Sequence, residues 1–211
     1  VHLAQFENVE QIADAKAEIF DGLLPGGTAV LNFDNPHFAR LKARAETVGV
    51  SRIVSFGVAA EADVHLSRSA LHATCSCLSA EVCGLPMTYK LGTPGQHLVM
   101  NSLGILGLVQ AVGGDLAMAG MALANIKAPK GRGARHVVRA GERQFLVIDE
   151  SYNANPASMK AAFATLAQAQ VEKGAHRVAV LGDMLELGPD EVAMHRDLSG
   201  DLMRAGIDRV Y

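Results

Sequence analysis

The sequence contains no tryptophan, few aromatic residues and no cluster of basic residues, and these absences limit what the protein can bind. Aromatic side chains make up 5% of the 211 residues. The formal net charge is -3 and the isoelectric point is near 6.2. Because a surface that binds nucleic acid or anionic lipid carries a basic patch, we expect neither partner.

Long uninterrupted apolar segments are also lacking. A membrane-spanning helix needs about 20 consecutive apolar residues. The most apolar stretch runs from Leu98 to Leu123, and Asn101, Gln110 and Asp115 interrupt it. This pattern predicts two buried helices and no insertion into a membrane.

Cysteine is scarce, and the few cysteines present do not form a recognisable metal motif. Cys75, Cys77 and Cys83 are odd in number and lie close together, without the histidine or cysteine spacing of a zinc site. We expect reduced, mostly buried thiols in a cytoplasmic protein.

Both ends of the sequence resemble cut ends. The chain starts at Val1 without a signal peptide, and residues 207–211 have the pattern of a strand that has just begun. We therefore expect an internal fragment of a longer protein.

A phosphate-binding loop of the Gly-x-x-x-x-Gly-Lys-Ser/Thr type is missing, because no Gly-Lys pair occurs in the sequence. The glycine-rich basic segment from Ala128 to Gly133 lacks that spacing and is typical of a linker. We place a domain boundary here, which divides the chain into domains 1–130 and 131–211.

The remaining pattern predicts an α/β protein. Asn8 to Gln11 has the form of a capping box and predicts a helix from about 9 to 22. On this helix Lys16 follows Ile12 by four residues and precedes Phe20 by four, so we expect it on the apolar face. The next segment predicts a βαβ unit, which indicates a parallel sheet. The unit consists of a strand from Thr28, a helix that starts at Asn35-Pro36 and a strand over 52–56. Residues 62–90 predict appended antiparallel strands, and residues 93–112 a helix.

The most informative stretch lies between residues 145 and 170. The apolar run 145–148 predicts a fully buried strand, and polar loop residues 149–155 follow it. Asn155 and Pro156 predict the start of a helix that reaches about Gln170. Ligands of open α/β sheets bind outside the carboxyl ends of strands, although a solvated loop with a helix cap would also explain these residues.

A similar arrangement follows near the end of the chain. Residues 177–182 predict a second buried strand, and the loop 183–188 leads to a helix started by Pro189. Asp183 and Glu186 are the acidic residues of this loop.

The segment from Asp149 to Pro156 resembles a signature of the Mur ligase family, and the loop 182–188 resembles the MurF type of that family. Further segments resemble motifs of the same family and follow one another in the same order along the chain. These segments are His2-Leu3, Ala15 to Phe20, Asn32 to Asn35, Gln96 to Asn101, and Pro129 to Arg132. The sequence departs from the family at Leu98, where an asparagine is usual, and at Glu150, where an aspartate is usual.

The resemblance implies a fold and a reaction. The fold would be the end of a Mur ligase central, ATP-binding domain without its phosphate loop, followed by part of a Rossmann-like C-terminal domain. The reaction would add D-alanyl-D-alanine to UDP-N-acetylmuramoyl-tripeptide through an acyl phosphate, using ATP and magnesium, during peptidoglycan synthesis in the bacterial cytoplasm. The parent enzyme would be a monomer, and the isolated fragment would be inactive.

The resemblance also implies roles for individual residues. His2 and a carbamylated Lys16 would hold magnesium, although Lys16 could instead be a lysine whose stem packs while its ammonium group reaches water. Asn101 would contact adenine, and Arg132 would reach an ATP phosphate. Asn32 and Asp34 would line the site, and Asp149 and Glu150 would contact the ribose. The residues implied at the substrates are Asn153, Asn155, Asp183 and Glu186.

Two alternatives remain open on the sequence. Another ligase of the Mur and folylpolyglutamate group would share the ATP motifs and differ at 182–188. A non-catalytic nucleotide-binding fragment would also fit a chain that lacks the phosphate loop.

Overall fold

The computed structural model describes residues 6–170, 172 and 174–211, and these form two compact units, 6–126 and 127–211. The first unit contains one sheet, the second contains two short ones, and each unit has its own apolar core. His2 lies outside the described residues. The predicted boundary between residues 130 and 131 stays a prediction, as does the assignment of the two domains.

The first unit contains a mixed five-stranded sheet, which confirms the predicted α/β class. Strands β1 to β5 lie in chain order, β1 and β2 pair in parallel, β2 and β3 pair in parallel, and the remaining pairs are antiparallel. The strands are β1 (Thr28–Asn32), β2 (Arg52–Gly57), β3 (Val64–Leu71), β4 (Ser76–Val82) and β5 (Leu85–Leu91). The predicted βαβ unit and the appended antiparallel strands are both present.

Helices cover both faces of this sheet because side chains on a strand alternate between the faces. Ala29 and Leu31 of β1 pack with α1 (Val9–Ala17) and α2 (Phe38–Thr47), whereas Val30 packs on the opposite face. That face is covered by α3 (Gln96–Ala111) and α4 (Leu116–Leu123). Among the described residues no helix is long and apolar enough to cross a membrane.

Two glycines allow α3 to lie close to the sheet. A Cβ atom at Gly107 would lie 3.1 Å from Cγ1 of Val30, and one at Gly104 would lie 3.2 Å from Cζ of Phe56. Larger side chains at these positions would push α3 away from the strands. The distance between α3 and the sheet therefore depends on both glycines.

The predicted helix over 9–22 is present but changes its geometry partway. The side chain of Asn8 accepts a hydrogen bond from the backbone N–H of Gln11 at 2.9 Å, which confirms the predicted start. The α-helix ends at Ala17 and continues as a 3₁₀ helix over Glu18–Gly22. Because residues three apart align in a 3₁₀ helix, the buried stripe consists of Ala13, Ala17 and Phe20.

Lys16 therefore does not project from the apolar face. Its side chain is exposed beside the stripe, and the expectation of a lysine among apolar neighbours was wrong. The helical spacing between Lys16 and Phe20, which suggested that position, does not apply across the change to 3₁₀ geometry.

Helix α2 begins slightly later than the sequence predicts. Asn35 accepts a hydrogen bond from the backbone N–H of His37 at 2.8 Å, and its carbonyl accepts one from Phe38. Asn35 and Pro36 thus form a turn, and the helix starts at Phe38.

The second unit consists of a hairpin, two helices and a short parallel strand pair. Strands β6 (Ala134–Ala140) and β7 (Arg143–Asp149) are antiparallel, and β8 (Val178–Ala179) pairs in parallel with β9 (Arg209–Val210). The helices are α5 (Pro156–Ala167) and α6 (Glu191–Arg204). Strand β9 confirms the strand predicted over 207–211, and α6 starts two residues after Pro189.

The expectation of fully buried strands in this unit was wrong. Phe145 of β7 is 51% exposed, and Val178 of β8 is 43% exposed. Within the described part of the chain β7 pairs with β6 alone, so this apolar run lies in a two-stranded ribbon rather than in the middle of a sheet. An apolar run predicts a strand but does not determine how many neighbours the strand has.

The cysteines are free, as expected, but the expectation that they are mostly buried was wrong, because Cys75 is partly exposed and the other two are exposed. Cys77 is exposed because the side chains of β4 alternate, and Ser76 and Leu78 on either side of it face inward. Cys83 is exposed in the tight turn between β4 and β5, where its φ of 49° matches the left-handed geometry of such turns.

Candidate functional site

The first group of predicted site residues lies where β1 and β2 end. Asn32 Oδ1 accepts a hydrogen bond from the backbone N–H of Asp34 at 2.9 Å. The Asp34 carboxylate accepts hydrogen bonds from the backbone N–H groups of Val58 and Ala59 at 2.7 and 3.2 Å. These contacts join the two strand exits, and the role of Asn32 and Asp34 as residues lining a ligand site stays a prediction.

Asn101 lies one turn inside α3 with its side chain exposed. The N-cap of this helix is Gly95, which has no side chain with which to cap it. Leu98, one turn before Asn101, packs against the core. The exposed amide of Asn101 is therefore accessible to a ligand, whereas Leu98 is held by packing.

Lys16 is the described residue that the sequence assigned to a metal. Within the described ranges no group of three histidine, cysteine, aspartate or glutamate side chains could hold a metal ion. An exposed carbamate on Lys16 would supply oxygen ligands of the kind that magnesium prefers, but these residues do not form a complete site.

In the second unit, three hydrogen bonds join the segment 131–133 to the loop after β7. The N–H of Gly131 donates to Oδ2 of Asp149 at 3.0 Å, and the N–H of Gly133 donates to the Asp149 carbonyl at 2.8 Å. The N–H of Tyr152 donates to the Gly131 carbonyl at 3.1 Å. Asp149 therefore holds Arg132 beside the loop that carries the acidic residues.

Glycine is required at position 131. Its φ is +74°, in the left-handed region that side chains disfavour. A Cβ atom there would also lie 2.9 Å from Cβ and 3.0 Å from the backbone nitrogen of Tyr152. Any other residue would separate the two segments.

Tyr152 positions the arginine of this segment. The guanidinium carbon of Arg132 lies 4.1 Å from the centre of the Tyr152 ring, which is a cation-π contact. The sequence places Tyr152 in the loop 149–155 but gives it no role of its own. The available signal was a tyrosine between small and polar residues in a chain with few aromatics.

The two adjacent carboxylates have opposite electrostatic environments. Oδ1 of Asp149 accepts hydrogen bonds from Oγ of Ser151 at 2.6 Å and from its N–H at 3.2 Å, and these bonds, with the one from Gly131, lower the pKa of Asp149. Burial raises the pKa of Glu150, and the neighbouring Asp149 charge raises it further, while Arg132 opposes both effects.

Of the two asparagines in this loop, Asn155 has a clear structural role. Its Oδ1 accepts a hydrogen bond from the backbone N–H of Ser158 at 3.0 Å, and Oγ of Ser158 accepts one from the N–H of Asn155 at 3.0 Å. This capping box confirms the predicted start of α5. Asn153 accepts a hydrogen bond from the N–H of Ala154 and is exposed.

The loop 183–188 is anchored by two buried residues. Met184 and Leu187 are 0% and 2% exposed and join a core cluster with Phe163 and Leu198, whereas Asp183 and Glu186 face outward. Ala154 packs against the same cluster. The structure thus brings the loops 149–155 and 183–188 together.

A cleft of about 330 Å³ lies elsewhere, between α5 and α6. Lys160, Asp201 and Arg204 form its charged side, and Asp201 pairs with both basic residues. Within the described part of the chain, the cleft is not lined by any of the residues predicted for the site.

Comparison with protein families identifies two consecutive matches. The Mur ligase middle domain matches residues 1–109, and the Mur ligase glutamate ligase domain matches residues 134–211.

The individual relatives agree with these matches. The "UDP-N-acetylmuramoyl-tripeptide--D-alanyl-D-alanine ligase" of Escherichia coli (strain K12) is 35% identical over 99% of this chain and 44% of its own length. A crystal structure of MurF from Acinetobacter baumannii has a TM-score of 0.85 at 28% identity and covers 100% of this chain and 44% of that one. MurF from Thermotoga maritima, solved in complex with ADP, has a TM-score of 0.80 at 24% identity, over 100% of this chain and 45% of that one, which shows the shared fold.

Proposed function

Because this chain belongs to the Mur ligase family, we propose that the complete protein is the ATP-dependent ligase that adds D-alanyl-D-alanine to UDP-N-acetylmuramoyl-tripeptide. The observation that carries the proposal is the 35% identity, over 99% of this chain, to an Escherichia coli ligase with that name. The chain spans about 44% of the length of that relative, so the activity is proposed for the complete protein.

The reaction proceeds in two steps. A carboxylate oxygen of the tripeptide attacks the γ-phosphorus of ATP, which releases ADP and leaves an acyl phosphate. The free amine of D-alanyl-D-alanine then attacks the acyl carbon, the amide bond forms, and the bond to phosphate breaks. The protein contributes mainly by positioning the reactants and by stabilising the charge on the transferred phosphoryl group.

The first unit supplies nucleotide and metal contacts in this proposal. Asn101 hydrogen-bonds adenine, which fits its exposed position on α3. Asn32 lines the nucleotide site with Asp34. His2 and a carbamate on Lys16 would hold magnesium, which would neutralise negative charge on the ATP phosphates.

The second unit supplies the phosphate and ribose contacts. Arg132 binds an ATP phosphate, for which a planar guanidinium is well suited, and its stacking on Tyr152 restrains it for that task. Glu150 accepts a hydrogen bond from a ribose hydroxyl. Asp149 contributes to the same site, although most of its hydrogen-bonding capacity is already used by Ser151 and Gly131.

The acidic loop binds the incoming amine. Asp183 and Glu186 are exposed neighbours on an anchored loop, and carboxylates of this kind attract the ammonium group of a dipeptide. Asn153 and Asn155 contact the substrates from the adjoining loop. The proposal also includes a monomeric enzyme in the bacterial cytoplasm that acts in cell-wall synthesis.

The test is a ligation assay on the complete protein with ATP, magnesium and UDP-N-acetylmuramoyl-tripeptide. We expect phosphate release that depends on D-alanyl-D-alanine. Release with a single amino acid instead, or no release at all, would contradict the proposed substrate. An Asp183→Ala variant should raise the KM for the dipeptide about tenfold, the loss of roughly one charged hydrogen bond, with little change in the KM for ATP.

A further inference from the structure

His195 of α6 connects the start of that helix to the loop 183–188. Its ring nitrogen Nε2 lies 2.9 Å from the backbone nitrogen of Met184, and its Nδ1 lies 2.9 Å from the carbonyl oxygen of Glu191. Both distances are ordinary for strong hydrogen bonds. One imidazole thus contacts the backbone of two different segments.

The identity of the two partners determines the state of the ring. The backbone N–H of Met184 can only donate, so Nε2 of His195 must accept and carry the lone pair. The Glu191 carbonyl can only accept, so Nδ1 must carry the hydrogen. The geometry therefore requires the neutral Nδ1–H tautomer, because an imidazolium or the other tautomer would direct an N–H at the N–H of Met184.

The hydrogen bond to Met184 acts at the point where the loop presents its first carboxylate. It fixes the orientation of the peptide unit between Asp183 and Met184. On the other side of that unit, the Met184 side chain is completely buried. The peptide unit is thus held by a hydrogen bond and by packing, while the Asp183 side chain remains exposed.

The backbone further along the loop is also constrained. Glu186 has a φ of +60°, in the left-handed region that residues with a side chain disfavour. Leu187 is buried directly after it, and Gly188 follows with a φ of +78°. A loop that keeps this conformation needs compensating contacts, and His195 supplies one of them.

We infer that His195 is a positioning residue for the amine substrate: it orients Asp183 towards the ammonium group of the dipeptide through the peptide N–H of Met184. This inference rests on the proposed function. His195 itself makes no contact with the substrate and transfers no proton. Its role is to specify where the carboxylate lies.

The first experiment measures kinetics of the complete protein with His195→Ala and His195→Gln. We expect His195→Ala to raise the KM for D-alanyl-D-alanine about tenfold, the loss of roughly one hydrogen bond, while kcat and the KM for ATP change less than about twofold. The His195→Gln variant should recover most of the affinity, because an amide also presents one acceptor and one donor close together.

A matched control is available in the same unit. His176 is exposed and its Nδ1 lies 3.8 Å from a carboxylate oxygen of Asp208, so His176→Ala removes an imidazole without affecting the loop. We expect its kinetic constants to equal those of the wild type.

The second experiment reads the tautomer directly and needs no functional assay. In wild-type protein labelled at histidine with ¹³C and ¹⁵N, the ring signals of His195, assigned by their loss in His195→Gln, should report the Nδ1–H form. The Nε2–H form would overturn the inference.

The outcomes separate the inference from the proposed function. Dipeptide-dependent turnover by the wild type with an unchanged dipeptide KM in His195→Ala overturns the inference alone. A similar loss for all substrates in both His195 variants also overturns it, because that result indicates a general structural role. Wild-type protein without dipeptide-dependent turnover overturns the proposed function and, with it, the substrate role of His195.

Discussion

At the scale of single residues, Asp149 and Glu150 show how neighbours in sequence acquire different chemical properties. The Asp149 carboxylate accepts hydrogen bonds from Ser151 and Gly131, and these bonds stabilise its ionised form. Glu150 is half-buried and lies beside that negative charge, which disfavours its ionised form. The first residue therefore organises the loop, and the second is better suited to exchange a contact with a ligand.

This difference predicts opposite effects of pH on two neutral variants. The pKa of Glu150 is raised in the folded state, so the protonated side chain favours folding and ionisation disfavours it. The contribution of the protonated form to the free energy of unfolding is therefore lost as the pH rises through that pKa. Glu150→Gln should therefore be more stable than the wild type at pH 7.5 and similar to it near pH 3. Urea unfolding of this chain, followed by circular dichroism across that range, measures the difference.

Asp149→Asn serves as the opposing control. The lowered pKa of Asp149 means that its ionised form stabilises the folded state above the unfolded pKa, and that this contribution is lost as the pH falls through the folded pKa. Asp149→Asn should be less stable than the wild type at pH 7.5, and the difference should shrink towards pH 3. Equal behaviour of the two variants would contradict the assigned environments.

Residue roles were only partly accessible from the sequence. The acidic and amide residues of the loops could be named because these segments resemble motifs of the Mur ligase family. The hydrogen bonds of Asp149 to Gly131 and of His195 to Met184 join residues 18 and 11 positions apart. Such contacts depend on tertiary structure, and local sequence patterns do not specify them.

At the scale of elements, the start of α5 is specified by three local features. Asn155 caps the helix, Pro156 occupies the first helical position, and Ser158 completes the reciprocal hydrogen bond. Each feature acts within one turn and needs no distant partner. The position of α5, and with it the end of the loop 149–155, therefore depends on its own sequence.

Removal of the cap should destabilise the second unit measurably. Asn155→Ala leaves the backbone N–H of Ser158 without its acceptor and should lower the free energy of unfolding by about 1 kcal/mol. Asn153→Ala is the matched control, because Asn153 is exposed and its side chain bonds only the neighbouring N–H among the contacts described for it. The measurement is urea unfolding of this chain, and equal stability of the two variants would argue against a capping role.

The elements that the sequence predicted correctly are those with local signals. The βαβ unit, the capped helices and the antiparallel strands all follow from periodicity and turn residues. The fully buried state of β7 was wrong because burial depends on which strands and helices surround a segment. In the described residues β7 pairs only with β6, and Phe145 is half exposed.

At the scale of the whole molecule, the residues proposed for the ligase function are distributed over both compact units. Lys16, Asn32 and Asn101 belong to the unit 6–126, whereas Arg132, Glu150 and Asp183 belong to the unit 127–211. The matched relatives are more than twice as long as this chain. The proposed reaction is therefore assigned to the complete protein rather than to the 211-residue chain.

A phosphate loop of the Gly-x-x-x-x-Gly-Lys-Ser/Thr type is one feature that this sequence lacks. In ATP-using proteins with a Gly-x-x-x-x-Gly-Lys-Ser/Thr segment, backbone N–H groups and the lysine bind the phosphates, and this sequence has no Gly-Lys pair. Loss of even one such stabilising donor typically lowers turnover about a hundredfold to a thousandfold. We therefore expect ligation by the 211-residue chain alone to be at least about a thousandfold slower than by the complete protein. Phosphate release at equal enzyme concentration, with circular dichroism to verify folding, tests this expectation, and dipeptide-dependent release by the isolated chain would show that its own residues suffice to hold ATP.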